Sequence, residues 1–138
     1  MRKLIILFLF SVPLLSIASE MSIATEFVKL SDATKVKGAS QRDIDAVAAL
    51  LSDEMRYQHP NYNADLSKAQ FIEGLVNYMG MADSLKTEIT NKIIGDKAVT
   101  ISFVSTTVIN GKTEIDSKPL MRLIEIKNGK INLIREYW

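Results

Sequence analysis

The chain has 138 residues, with 17 Lys and Arg against 16 Asp and Glu, a single His and no Cys. A charge balance this even, with no basic run, argues against a nucleic-acid partner and gives no electrostatic reason to sit on an anionic membrane. The missing cysteines exclude thiol catalysis and disulfide staples, and one His without Cys falls short of usual zinc ligation, so neither a metal nor a cofactor is expected.

Met1-Arg2-Lys3 is a positive start, and Leu4 to Leu15 is apolar apart from Ser11 and Pro13. Ser16 and Ala18 then put small residues at the two positions a signal peptidase reads. Together these features predict a secretory signal peptide over residues 1–18, cleaved after Ala18. A membrane anchor would need about 20 apolar residues, and this run is shorter. The expected product is one exported domain, residues 19–138, periplasmic or secreted and free of the membrane. It is long enough to bury a core by packing alone.

Ile23, Phe27, Leu30 and Thr34 recur at helical spacing and predict a helix over residues 22–37, ended by Gly38. A second helix starts at the Ser40 cap with Asp43 in its first turn, and buries Ile44, Val47, Ala48 and Leu51. Ser52-Asp53 predicts a turn. Met55, Tyr57 and His59 then share one face of a short strand. Pro60 ends it, since proline has no N–H for a ladder. Residues 61–66 read as a polar loop. Ser67-Lys68-Ala69-Gln70 is a capping box that opens a third helix. Its apolar face is Phe71, Ile72, Leu75, Tyr78 and Met79, and its stop is Gly80.

From Leu85 the period changes to two. Residues 89–94 and the run from Val99 are strands either side of a turn at Gly95-Asp96. Asn110-Gly111 and Asn128-Gly129 are hairpin signals, because both turn positions need positive φ. The strand between them, residues 113–126, contains Pro119, which implies a bulge or an edge. The last strand is 131–138. Three helices and a meandering antiparallel sheet make an α+β domain. A sheet this long curls, the helices cover its concave face, and a pocket is expected at the open end under Tyr57 and His59.

The order of these elements resembles the nuclear transport factor 2-like (NTF2-like) superfamily, a cystatin-like cone. Within it the chain looks closest to the SnoaL-like, polyketide-cyclase-like branch. The residues that carry the likeness are Asp43 to Pro60, the Ser67-to-Gly80 helix, and the terminal block Asn128 to Trp138. The resemblance implies three N-terminal helices packed on a curved antiparallel sheet. It also implies a homodimer, since superfamily members often pair. It implies little about activity, because enzymes, carriers and binding modules share this scaffold.

His59 and Tyr57 are the candidate catalytic pair. The steroid-isomerase branch places a catalytic carboxylate directly before proline where this chain has His59 before Pro60, and a histidine can act there as a general base. The other readings of His59 are a ligand contact and a side chain that fixes the strand end. That branch's oxyanion hole has no counterpart here: residues 22–37 contain no Tyr, and Met121-Arg122 stand at roughly the aspartate's place. The epoxide-hydrolase branch carries a Tyr and an acidic residue resembling Tyr57 and Glu136. Where it has an Arg and an Asp on a middle strand, this chain has Ser105-Thr106-Thr107.

Pairing Lys127 with Lys130 across the last hairpin predicts Arg122 opposite Arg135, with Glu136 one step off. These charges form either a network on one sheet face or an arginine that recognises a ligand carboxylate. Asp116 reads as a solvated strand-end residue. Candidate ligand-binding residues are therefore Tyr57, His59, Tyr78, Arg122, Glu136 and Trp138. The sequence favours a module or carrier for a small apolar or amphipathic molecule. The alternatives are a cofactor-free isomerase or cyclase-type lyase, and a homodimeric interaction module.

Overall fold

The computed structural model describes residues 15–138, with side chains from Glu20 onward. The predicted signal peptide lies outside the described residues except for 15–18, which open the first helix. α1 runs Leu15–Lys35 and α2 Gln41–Leu50. β1 (Leu51–His59), a 3-10 turn (Pro60–Tyr62), β2 (Ala64–Ser67) and α3 (Lys68–Asn77) follow. β3 is Ser84–Gly95, β4 Ala98–Ile109, β5 Lys112–Ile115, β6 Leu120–Lys127 and β7 Lys130–Tyr137. The strands form one sheet in the order β2-β1-β7-β6-β4-β3, with β5 beside β4. The α+β class and the three helices packed on a sheet are as expected. The sheet is mixed rather than purely antiparallel, because β1 lies parallel to β7.

Local chemistry explains most boundaries. At α2 the Asp43 carboxylate accepts from the Ser40 backbone N–H at 2.8 Å, and these bonds hold its pKa below the usual carboxylate range. At α3 the Ser67 hydroxyl accepts from the Gln70 N–H, and the Gln70 side chain accepts from the Ser67 N–H at 2.9 Å. Ser67→Ala removes that reciprocal cap and is expected to cost about 1 kcal/mol, read as a lower urea midpoint. Asn110-Gly111 and Asn128-Gly129 all have positive φ, as those turns require.

Four expectations change. No turn forms at Ser52-Asp53; the chain passes straight from α2 into β1, where Leu51 pairs with Ile131 and the register then jumps before Arg56. The jump leaves Asp53 and Glu54 toward solvent while Leu51 and Met55 stay buried. The expected loop at 61–66 contains β2, a short edge strand pairing with β1 from Arg56↔Ser67 to His59↔Ala64. The strand placed at 113–126 is two, β5 and β6, broken around Pro119. β3 is longer than expected, and its register shifts between Ile89 and Asn91. Leu85, Thr87 and Ile89 face inward before the shift, and Ile94 after it, so Ile93 points outward and is 69% exposed.

The core lies between the helices and the sheet. Phe27, Ile44, Val47 and Met55 meet Ile101, Ile124, Ile131 and Ile134 there. Ile131 and Ile134 are three apart, so in a regular strand they would face opposite sides. A bulge at Asn132 reverses the alternation: Ile126 pairs with Ile131, but Glu125 pairs with Leu133. Both isoleucines are therefore fully buried, and Glu136 also turns inward. The same bulge corrects the expected register: Arg122 stands opposite Glu136, not Arg135.

Candidate functional site

A cavity of about 430 Å³ opens between the end of α1 and the sheet. Leu85, Phe103, Ile109, Leu120 and Trp138 give it apolar walls, and Tyr78 and Met81 form part of its rim. Its charged lining comes from Asp32 and Lys35 on α1, Asp116 beside β5, and Arg122 on β6. The strand break at Pro119 shapes one side. Asp116 stays next to β4, donating its N–H to the Ser105 carbonyl and accepting the Ser105 N–H at 2.7 Å.

Arg122 is anchored from behind. Its Nε donates to Glu136 Oε1, and the Tyr57 hydroxyl donates to Glu136 Oε2 at 2.6 Å. Glu136 is 5% exposed, so one buried carboxylate joins both groups. The guanidinium lies 4.6 Å from the Phe103 ring centroid and 5.4 Å from that of Phe27, within cation–π range. Tyr57 stacks on Phe71 with ring centroids 5.2 Å apart. Burial, then the Glu136 charge and hydrogen bond, push the Tyr57 phenol well above the ordinary tyrosine range. The folded state thus keeps a proton that the unfolded state releases near pH ~10, so this group's contribution to stability falls as pH rises through that range. Tyr57→Phe is expected to flatten the fall of the urea midpoint between about pH 9 and 11. An unchanged slope would contradict the buried Tyr57–Glu136 bond.

On the α1 side, Asp32 is occupied: Thr87 donates both its N–H and its hydroxyl to the carboxylate at 3.0 Å. Lys35 is half-buried, and among the described residues no acceptor lies within hydrogen-bond distance of its ammonium. Burial, and then the Arg122 charge, lower its pKa below the usual lysine range, although Glu136 and Asp32 act in the opposite direction.

The sequence-predicted residues divide into three groups. Arg122, Trp138 and Tyr78 line the cavity; Tyr78 does so from the rim, 60% exposed, because α3 ends at Asn77 before it could face the core. Glu136 and Tyr57 sit behind Arg122 and do not line the cavity. His59 also lies outside it. It is 3% exposed, packed between Tyr62 and Trp138 with ring centroids 4.4 and 4.5 Å away, and neither ring nitrogen has a partner. The pocket expected under Tyr57 and His59 therefore opens instead on the far side of Trp138. Proline at 60 starts the 3-10 turn that brings Tyr62 over the imidazole and closes that side.

Lys35 and Asp32 are not among the sequence-predicted site residues, yet both line the cavity. The usable signal was spacing: Ala24, Val28, Ser31 and Lys35 continue one stripe at steps of three and four. Asp116 was expected in solvent and instead lines the cavity.

No family model matches the chain, and no curated protein matches its sequence. Solved structures do. An LEH-like epoxide hydrolase from M. tuberculosis superposes with a TM-score of 0.67 at 17% identity, over 87% of this chain and 82% of that one. An NTF2-like protein from Anabaena variabilis gives 0.66 at 14% identity, over 86% and 88%. The chain has the NTF2-like fold. A candidate polyketide cyclase from Xanthomonas campestris pv. campestris shares it, with a TM-score of 0.63 at 15% identity over 89% and 92%. At these identities the likeness is one of fold, and proteins with the NTF2-like fold differ in chemistry.

Proposed function

We propose that this protein is an exported binding module that holds a small amphipathic molecule in the cavity between α1 and the sheet. The observation that carries the reading is the cavity itself: about 430 Å³, with aliphatic and aromatic walls and a few polar groups among them. Ligand pockets have this size and make-up, with apolar surface for affinity and sparse polar groups for orientation. Residues 1–18 support export. The isomerase or lyase alternative takes His59 as its base, and His59 does not line the cavity.

Native mass spectrometry of the protein recovered from its exporting host tests the reading. The expected result is a folded species heavier than its own denatured chain by a small-molecule mass. The denatured mass should also show loss of residues 1–18. Folded and denatured masses that agree in every preparation would count against the module, and an intact leader would count against export.

A further inference from the structure

We propose that Lys35 and the terminal amino groups of Arg122 form a two-point seat for the carboxylate of an organic acid whose apolar body lies against Leu85, Phe103 and Trp138. This rests on the cavity being a ligand site and names the ligand's chemical class.

The cavity is lined by two acids and two bases, so formal charge alone selects nothing. Hydrogen bonding separates them. The Asp32 carboxylate takes two bonds from Thr87, and Asp116 takes the Ser105 N–H. The bases are not used in the same way. Arg122 gives only its Nε to Glu136, and among the described residues neither Nη has an acceptor within hydrogen-bond distance. Lys35 has no acceptor at all among them. Ammonium and guanidinium groups donate and never accept, so an acceptor completes both, and an oxyanion does so with the stronger, charge-assisted bonds.

Electrostatics points the same way. The charged groups facing Lys35 are Asp32 on its own helix, Arg122 on β6 and Glu136 on β7. Burial, and then the Arg122 charge, lower its pKa more than the two carboxylates raise it, so its charged form is poorly stabilised where it stands. A bound carboxylate stabilises that form. It would restore the ammonium's proton affinity, so binding takes up a proton wherever Lys35 is partly neutral, and affinity falls as pH rises. Glu136 and the Phe27 and Phe103 rings hold the guanidinium in place, which lowers the ordering cost on binding.

Trp138 is the single tryptophan of the chain and lines the cavity, so its emission reports occupancy directly. The test titrates octanoate, octanol and octylamine. Octanoate is expected to bind about tenfold or more tighter than octanol, the size of one charge-assisted hydrogen bond, with octylamine weakest. Lys35→Met should lose most of that advantage, read as the ratio of octanol to octanoate dissociation constants within each variant, while raising the thermal midpoint of the empty protein, because it removes a poorly stabilised charge. Lys35→Gln provides the same comparison should the methionine variant fold poorly. Alkaline pH should weaken octanoate and not octanol. Equal binding of octanoate and octanol, indifferent to Lys35, would overturn the carboxylate seat and leave the binding module standing. No response to any of the three would overturn both.

Discussion

Glu136→Ala is expected to destabilise the protein by about 3–5 kcal/mol, the usual cost of removing one partner from a buried charged pair. Two groups lose their acceptor at once: the Arg122 guanidinium and the Tyr57 hydroxyl. The Tyr57 hydroxyl lies in a half-buried side chain stacked on Phe71, and the Arg122 Nε points to Glu136 with Phe27 and Phe103 against the guanidinium, so only the Nη groups face the cavity. A domain with ordinary stability of about 5–15 kcal/mol would lose a large share of it. Glu136→Gln keeps an acceptor for Tyr57 and should fall between wild type and the alanine variant. The double variant Glu136→Leu, Arg122→Leu should be less damaged than Glu136→Ala, because no buried charge is left unpaired. Urea unfolding of the three variants gives the ranking. A loss under about 1 kcal/mol for Glu136→Ala is the value of a solvated surface pair and would contradict the buried network.

Phe27→Ala is the second large effect, expected at about 3–5 kcal/mol. The ring is 2% exposed at the centre of the core and lies near both Phe71 and Arg122. Removing it opens a void next to the guanidinium and withdraws one of its two aromatic faces. Phe27→Leu separates the contributions, since it restores most of the volume and none of the π surface. Packing alone predicts that leucine recovers most of the loss. A remaining deficit of about 0.5–2 kcal/mol that disappears when Arg122 is also replaced is the cation–π share. Thermal unfolding of the single and double variants measures both.

The fold was legible where local signals agree with burial. The Ser67-Gln70 capping box, the two Asn-Gly turns and the inward face of Met55, Tyr57 and His59 all form as their chemistry dictates. What the sequence concealed were register shifts. The bulge at Asn132 has no composition cue, yet it decides that Glu136 rather than Arg135 faces Arg122. The jump after Leu51 made Ser52-Asp53 resemble a turn, because residues pushed out of a ladder are as polar as turn residues. β2 escaped because Ala64-Asp65-Leu66-Ser67 has weak strand propensity and forms only as an edge on β1.

The site was legible in part for the same reason. Arg122, Tyr78 and Trp138 were named from residue type and strand position, and they line the cavity. His59 attracted attention as the only histidine, but its position depends on how Tyr62 and Trp138 pack around it, which no local pattern encodes. Lys35 was visible only to a count of the α1 stripe beyond its last apolar residue.

The central claim is that the cavity between α1 and the sheet is the ligand site. It is tested most directly by backbone amide and indole NMR shifts during titration with octanoate. The expected result is a set of shifts centred on Lys35, Leu85, Ser105, Arg122 and the Trp138 indole, with Ala48, Asp53 and Asn128 unmoved on the opposite side of the domain. Shifts concentrated around Ala48, Asp53 and Asn128, with the Trp138 indole unchanged, would contradict it.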